Sequence, residues 1–162
     1  MAKGNLIVIE GCDCSGKETQ SNLLVKNLNL KGINAISLSF PMYDTPTGKI
    51  VGDSFLGRNN NGKSWFKEGS IKVDPKIACL YYAADRKYNF DMINAYLEKG
   101  YYVVIDRYVS SNMAHQGAKI DDPDKRFELY QWIDKLEYWL LELPRQMKQY
   151  SYMFHINILV SL

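Results

Sequence analysis

Cysteine is scarce in this sequence, and so are long apolar runs. The three cysteines, Cys12, Cys14 and Cys79, form an odd set without the repeated spacing of a zinc site or a disulfide framework. A reducing compartment is therefore the expected environment. The first apolar run, residues 6–9, is far shorter than the central segment of a signal peptide, and no later stretch approaches the span of a bilayer. We expect a cytoplasmic protein with no membrane partner.

Charge of one sign is also scarce. The formal net charge is +2, and lysine and arginine do not gather into the blocks that binding to a nucleic-acid backbone needs, so we expect no nucleic-acid partner. With 46% hydrophobic and 23% charged residues, the composition is that of a soluble globular protein. A length of 162 residues suits one substantial core and is too short for two ordinary domains. We therefore expect a single domain over residues 1–162.

Short buried-type strands alternate with helical patterns along the chain, which is typical of an α/β fold with a mainly parallel sheet. The first strand, NLIVIE at residues 5–10, is a continuous β-branched run of the kind that is buried on both faces. Further strands are predicted at residues 33–40, 101–105 and 152–162, helices at residues 16–32, 74–100 and 122–144, and a loop at residues 57–69. The core stripes expected on the two later helices are Ile77, Leu80, Tyr81, Ala84 and Tyr88 on the first, and Leu129, Ile133, Leu136, Leu140 and Leu143 on the second.

A phosphate-binding loop is predicted directly after the first strand. The segment GCDCSGK at residues 11–17 has the Gly-x-x-x-x-Gly-Lys pattern, placed between a strand and a helix as that motif requires. Its glycines allow the loop to wrap closely around phosphate oxygens, and the helix dipole attracts the anion. A glycine-rich turn with a solvated lysine is the alternative, which this position disfavours. We expect a P-loop NTPase three-layer sandwich that binds ATP through Gly11, Cys12, Asp13, Cys14, Ser15, Gly16, Lys17, Glu18 and Thr19.

The loop departs from the usual pattern at its metal-binding position. Glu18 follows Lys17 where a hydroxyl usually meets Mg²⁺, and the first hydroxyl is that of Thr19. Glu18 could bind the metal directly, through water, or not at all. The predicted metal ligands are Glu18, Thr19 and Asp106.

Two arginines are candidates for the acceptor side of a nucleotide kinase, whose catalysis is mostly positioning and charge neutralisation. Arg107 follows Asp106 at the carboxyl end of a predicted strand, the edge where open α/β sheets bind ligands. Arg86 shares a helix face with Tyr82, roughly 160° from the expected core stripe, where the two could stack on and hydrogen-bond a base. A surface Asp–Arg ion pair, and an ordinary exposed arginine beside a half-buried tyrosine, are the alternatives.

The sequence resembles thymidylate kinases over residues 4 to about 145. The segments GCDCSGKETQ, SFPMYDTPTGKIVG, LYYAADR and DRYVSSNMAHQGAK occur in the order, and at roughly the spacing, seen in that family. Together the four are specific, because unrelated P-loop proteins share only the first. The resemblance implies that Asp13 meets the 3′-hydroxyl of the sugar. It also implies that Tyr82 stacks on thymine, that Arg86 hydrogen-bonds the edge of this base, and that the base pocket is lined by Ser111, Asn112 and Gln116. By the same resemblance, Arg107 binds the acceptor phosphate and Asp106 acts near Mg²⁺ and the attacking oxygen. Lys17, Asp106 and Arg107 would be the catalytic residues, and His115 would be a pocket neighbour or a structural histidine.

The sequence also departs from the family. Met42 and Tyr43 stand where many members have an arginine that approaches the acceptor phosphate, so one phosphate contact is expected to be missing. Cys14 replaces an arginine found in one branch, which indicates the branch whose catalytic arginine comes from a lid. After about Arg145 the sequence no longer follows the family, and we expect a tail altered by a reading-frame change or an early stop, without the arginine-rich lid.

The resemblance predicts a kinase that transfers the γ-phosphoryl group of ATP to dTMP with Mg²⁺, acting as a homodimer. Lid arginines contribute on the order of 10³ to 10⁵ in rate, so this chain is expected to bind nucleotides better than it turns them over. Two alternatives stay open. One is a kinase for a related nucleotide, and the other is a catalytically impaired nucleotide-binding remnant. A guanine-specific switch is disfavoured because the sequence has no Asn-Lys-x-Asp segment.

Overall fold

The structure is a computed structural model that describes residues 3–146 and 148–152, with the backbone alone for Tyr152. The residues group into two compact units. Of the described residues, the first unit takes in those up to Leu38, Tyr96–Tyr108 and those after Arg145, and the second takes in Ser39–Ala95 and Val109–Arg145. The predicted extent of a single domain, residues 1–162, stays a prediction.

A four-stranded sheet in the order β2-β3-β1-β4 forms the centre of the first unit. The strand β1 pairs in parallel with β3, where Leu6 lies opposite Val103, and in parallel with β4, where Ile7 lies opposite Lys148. The sheet confirms the three earlier predicted strands to within two residues, whereas residues 153–162 of the fourth predicted strand lie outside the described residues. The strands are β1 (Leu6–Gly11), β2 (Ala35–Ser39), β3 (Tyr102–Asp106) and β4 (Lys148–Tyr152).

The core of the first unit joins this sheet to the helix α1 (Lys17–Leu30). Val8 on β1 and Val104 on β3 are fully buried, because a parallel sheet covered on both faces leaves the middle of its strands no contact with water. Leu24 and Val25 of α1 pack against the cluster that contains Val104. The parallel sheet flanked by helices confirms the predicted P-loop α/β fold.

The second unit is mainly helical. Asp74 begins the long helix by accepting hydrogen bonds from the backbone N–H groups of Lys76 and Ile77 at 2.8 and 3.2 Å, as the sequence predicts. Residues 57–69 contain no helix or strand, also as predicted. Two short helices, α2 and α4, were not predicted. The helices of this unit are α2 (Pro46–Lys49), continued by the π-helical segment Ile50–Phe55, α3 (Pro75–Glu98), α4 (Val109–Gly117), and α5 (Pro123–Asp134), continued by the π-helical segment Lys135–Leu140.

The core stripe predicted for α3 is wrong. Ile77, Leu80 and Tyr88 are 45%, 49% and 57% exposed, and the stripe faces solvent. Its other members are Ala84, which is exposed, and Tyr81, which is half-buried.

The buried face of α3 is polar in its middle, where it carries Asp85, Arg86 and Asn89. These side chains are buried because partners in the same unit satisfy them. The Asp85 carboxylate accepts from the Met42 backbone N–H and the Thr47 hydroxyl, both at 2.8 Å, and from the Asn89 amide at 2.9 Å. The stripe predicted for the last helix is mostly right: four of its residues are buried, and Leu140 is 57% exposed.

Candidate active site

The segment between β1 and α1 reverses the chain within a few residues. Gly16, just before α1, has the left-handed conformation φ 82°, ψ 14°, which a residue with a Cβ adopts only with strain. Cys14 is also left-handed, at φ 60°, and the Ser15 backbone N–H donates to the Cys12 carbonyl at 3.3 Å. The geometry explains why the glycine is needed at position 16 and leads directly into the first turn of α1.

Lys17 lies with its side chain folded into this loop. It is 6% exposed, and its ammonium group donates to the Cys12 carbonyl at 2.5 Å. In front of it is a pocket of about 360 Å³. The residues that line this pocket are Cys14, Ser15, Gly16, Lys17, Glu18, Thr19, Asp106 and Arg107. Six of the nine residues predicted to bind ATP therefore face one anion-sized pocket together with the predicted Asp106–Arg107 pair.

Asp106 and Arg107 reach the pocket because β3 lies directly beside β1. Ile9 is the register partner of Asp106, and the Ile9 carbonyl accepts from the Arg107 backbone N–H at 3.0 Å. Arg107 is left-handed, with φ 66°, and its guanidinium pairs with the carboxylate of Asp13. The guanidinium of Arg107 therefore has a partner in the phosphate-binding loop, a contact that the sequence did not predict.

Burial raises the pKa of the Asp106 carboxyl, and the positive charges of Lys17 and Arg107 oppose that rise. Among the described residues, one oxygen of this carboxylate, Oδ1, is buried without a hydrogen-bond partner, and so is the hydroxyl of Ser15. Buried acceptors and donors without partners are rare in folded proteins. Both residues line the pocket in front of Lys17.

Glu10 is a buried residue of this region that the sequence analysis missed. It is 5% exposed, and its carboxylate accepts from the Tyr108 backbone N–H at 3.0 Å, which fixes the turn after Arg107. The sequence does contain a signal for Glu10, because a carboxylate at the end of a buried strand needs a hydrogen-bond donor nearby.

The residues predicted to bind the base lie in the second unit. Arg86 is 3% exposed and makes a bidentate ion pair with Glu137, from Nε to Oε2 and from Nη2 to Oε1, both at 2.5 Å. The alternative of an ordinary exposed arginine is therefore wrong. Asn112 donates through Nδ2 to Oε1 of the same Glu137 at 3.1 Å. Tyr82 is half-buried, with its ring edge-on to that of Phe55 at 5.9 Å between centroids.

The helix α4 carries the remaining residues predicted for the base pocket. Asn112 and Gln116, four residues apart, are 4% and 3% exposed, Ser111 is half-buried, and His115 is exposed. Glu137 was missed by the sequence analysis, although it follows Ile133 by four residues and so interrupts an apolar stripe. A carboxylate at a stripe position indicates a buried cationic partner, which is Arg86 here.

Comparison with known proteins decides the family. The family model described as thymidylate kinase matches residues 9–127, about three quarters of the chain. The chain belongs to the thymidylate kinase family. Among curated members, it is 34% identical over 140 residues to the probable thymidylate kinase of Thermococcus kodakarensis, covering 85% of this chain and 66% of that protein. It is 35% identical over 117 residues to human thymidylate kinase, covering 72% of this chain and 50% of the human protein.

A solved thymidylate kinase from Candida albicans has the same fold. The TM-score is 0.71 at 27% sequence identity, and the match covers 100% of this chain and 68% of that one. The chain spans about half to two thirds of the length of the curated relatives described above.

Tyr43 contacts a cation from further along the chain. The guanidinium carbon of Arg58 lies 3.7 Å from the centroid of the Tyr43 ring, a cation–π contact. A cation is therefore present beside Tyr43, in the segment where the sequence analysis expects one phosphate contact to be missing. None of the described residues forms a helix with the length and hydropathy of a bilayer span.

Proposed function

We propose that this protein transfers the γ-phosphoryl group of ATP to dTMP, giving ADP and dTDP for dTTP synthesis. The observation that carries the proposal is the pocket that Ser15, Lys17, Asp106 and Arg107 line together. Family membership supports the same reaction. Phosphoryl transfer needs little covalent chemistry from the protein, so a pocket that positions phosphates and neutralises their charge is suited to it.

Each side chain of this pocket has a proposed task. The loop amides and Lys17 hold the donor phosphates, and the start of α1 adds its positive dipole end. Arg107 holds the acceptor phosphate and Asp106 lies near the attacking oxygen. Asp13, which pairs with Arg107 in the structure, would meet the 3′-hydroxyl of the sugar.

Mg²⁺ is the proposed metal. Within residues 3–146 and 148–152 there is no group of three His, Cys, Asp or Glu side chains placed to hold an ion by itself. The oxygens of Asp106, Thr19 and Glu18 nevertheless line the same pocket, and Asp106 Oδ1 has no partner among the described residues. This small oxygen set fits Mg²⁺, which commonly keeps several waters and binds substrate phosphates. When bound, the ion would neutralise charge on the phosphates.

The acceptor base is assigned to residues of the second unit. Tyr82 would stack on thymine, Arg86 would donate to its edge, and Ser111, Asn112 and Gln116 would line the pocket. The burial of Arg86, Asn112 and Gln116 supports this assignment, because polar groups held away from water discriminate strongly between donors and acceptors of a ligand.

A cytoplasmic homodimer completes the proposal. The exposed stripe on α3, formed by Ile77, Leu80, Tyr88 and Met92, is a contiguous apolar face of the kind that partner subunits cover. Size-exclusion chromatography with light scattering measures the assembly directly. A monomer at the concentration used for activity would contradict this part of the proposal and leave the reaction untouched.

The reaction is tested by a coupled assay that follows ADP and dTDP from ATP, Mg²⁺ and dTMP, run beside calorimetric binding of each nucleotide. Turnover that depends on dTMP is the expected result. Failure to bind either nucleotide would contradict the proposal. Binding of both without turnover would instead support a nucleotide-binding remnant, and turnover with another monophosphate alone would support a related kinase.

A further inference from the structure

Glu137 is a buried carboxylate to which neither the family resemblance nor the proposed reaction gives a task. It is fully buried in the π-helical segment after α5. Its two oxygens accept three hydrogen bonds, two from Arg86 at 2.5 Å and one from the Asn112 amide at 3.1 Å. Two of the residues proposed to contact the base, Arg86 and Asn112, are therefore held by the same carboxylate.

Stability alone does not account for this arrangement. Taking a carboxylate and a guanidinium out of water has a large desolvation cost, and apolar residues of similar volume often replace such pairs with no loss of stability. A bidentate guanidinium–carboxylate pair does, however, fix the orientation of both groups. What Glu137 supplies is a defined direction for the donors and acceptors around it.

The orientation of the Asn112 amide shows the consequence. Its Nδ2 donates to Glu137, so its other end, Oδ1, is an acceptor. Within the part of the chain that the structure describes, Oδ1 of Asn112 and Oε1 of Gln116, one helical turn further on, are buried without hydrogen-bond partners. Leaving two buried acceptors unsatisfied is unfavourable, which indicates that a ligand supplies the donor.

We propose that Glu137 is a positioning residue that sets Arg86 as a donor and Asn112 as an acceptor, so that the site selects a pyrimidine with an N3–H group and a C4 carbonyl. Thymine and uracil have this edge. Cytosine has an acceptor at N3 and an amino group at C4. The amino group would face the donors of Arg86, and N3 would face the acceptor of Asn112. The inference rests on the proposed function, since it concerns the base of the acceptor nucleotide.

Glu137→Gln tests the proposal with little change in shape. Glutamine replaces one acceptor oxygen by an NH₂ group, so at least one of the three donors from Arg86 and Asn112 faces another donor. The carboxylate that aligns the two side chains is then lost. We expect the ratio of kcat/KM for dTMP to kcat/KM for dCMP to fall on the order of tenfold to a hundredfold, the effect of mispaired buried hydrogen bonds. The ratio of dTMP to dUMP should not change, because these bases share the edge in question.

The controls separate positioning from folding. Glu128→Gln makes the same chemical change at an exposed position of α5 and should leave both ratios unchanged. Simple destabilisation would lower the activity with dTMP, dUMP and dCMP together and would leave the ratios constant, so unchanged ratios in folded Glu137→Gln protein would overturn the proposal. The KM for ATP should be unaffected.

A second variant keeps the test valid if Glu137→Gln does not fold. Asn112→Ala keeps the Arg86–Glu137 pair and removes the amide that Glu137 orients, so the same fall in the dTMP to dCMP ratio is expected. An unchanged ratio there would also overturn the proposal. Wild-type protein that shows no dTMP binding or turnover would contradict the proposed function itself, whereas wild-type turnover with unchanged ratios in the variants would contradict only the role of Glu137.

Discussion

Replacing Lys17 by methionine removes the one charge on which the phosphate pocket most depends. Methionine has a similar length and an unbranched side chain, so it fills the same space in the loop without the ammonium group. Lys17 is 6% exposed and makes its hydrogen bond to the Cys12 carbonyl within its own loop. We expect Lys17→Met to fold normally and to bind ATP much more weakly.

The size of the effect follows from the burial of the ammonium group. Two unit charges about 4 Å apart attract each other by roughly 4 kcal/mol at an effective dielectric constant near 20. On binding, the ammonium exchanges its hydrogen bond to the Cys12 carbonyl for one to a phosphate oxygen, and such a bond is worth about 1 kcal/mol. The difference, about 3 kcal/mol, corresponds to an affinity for ATP lower by about 10²-fold.

Isothermal titration calorimetry with ATP measures this directly, with thermal unfolding as the check on folding. Lys26→Met is the matched control, because Lys26 is an exposed lysine of the same helix. Its ATP affinity should change less than about twofold, the range of a screened surface charge. If folded Lys17→Met bound ATP within about threefold of the wild-type affinity, the assignment of the pocket to phosphate would be refuted.

Two further predictions concern α3. Asp85→Ala removes the carboxylate that accepts from the Met42 backbone N–H, the Thr47 hydroxyl and the Asn89 amide, and should lower the free energy of unfolding by about 3 kcal/mol in urea denaturation. Asp91→Ala, at an exposed position of the same helix, should have little effect, and equal effects of the two substitutions would contradict the account of the buried face. Burial, with the charge of Glu137, raises the pKa of the Cys79 thiol to about 12, so the thiol is protonated near neutral pH. At pH 8 a disulfide reagent should label two cysteines in the folded protein and three in denaturant, and three fast thiols in the folded protein would contradict this.

The phosphate-binding loop could be predicted from the sequence because its signals are local. A buried strand, two glycines at fixed spacing and a lysine before a helix lie within a dozen consecutive residues, and each has a physical reason to be there. The strands β1 and β3 were predicted within one residue for the same reason. The pocket then follows from the rule that the carboxyl ends of adjacent parallel strands meet at one edge.

The face of α3 could not be predicted because it depends on distant partners. Helical periodicity identifies the apolar stripe, and here that stripe is exposed while Asp85 and Arg86 are buried. The partner of Arg86 is Glu137, 51 positions further along the chain, and Asp85 is satisfied by Thr47, 38 positions earlier. A single sequence does not show which distant residues pair. Polar residues that are buried with distant partners are therefore predicted to lie on the surface. The roles of the predicted site residues stay predictions.

The placement of Asp85 and Arg86 on adjacent positions of α3 limits how this helix can change. Each residue advances the helix by about 100° and 1.5 Å, so losing one residue before Asp85 would rotate both side chains away from their partners at once. The carboxylate would leave the Met42–Thr47 segment and the guanidinium would leave Glu137. The length of α3 up to Asn89 is therefore fixed by the two networks that it joins.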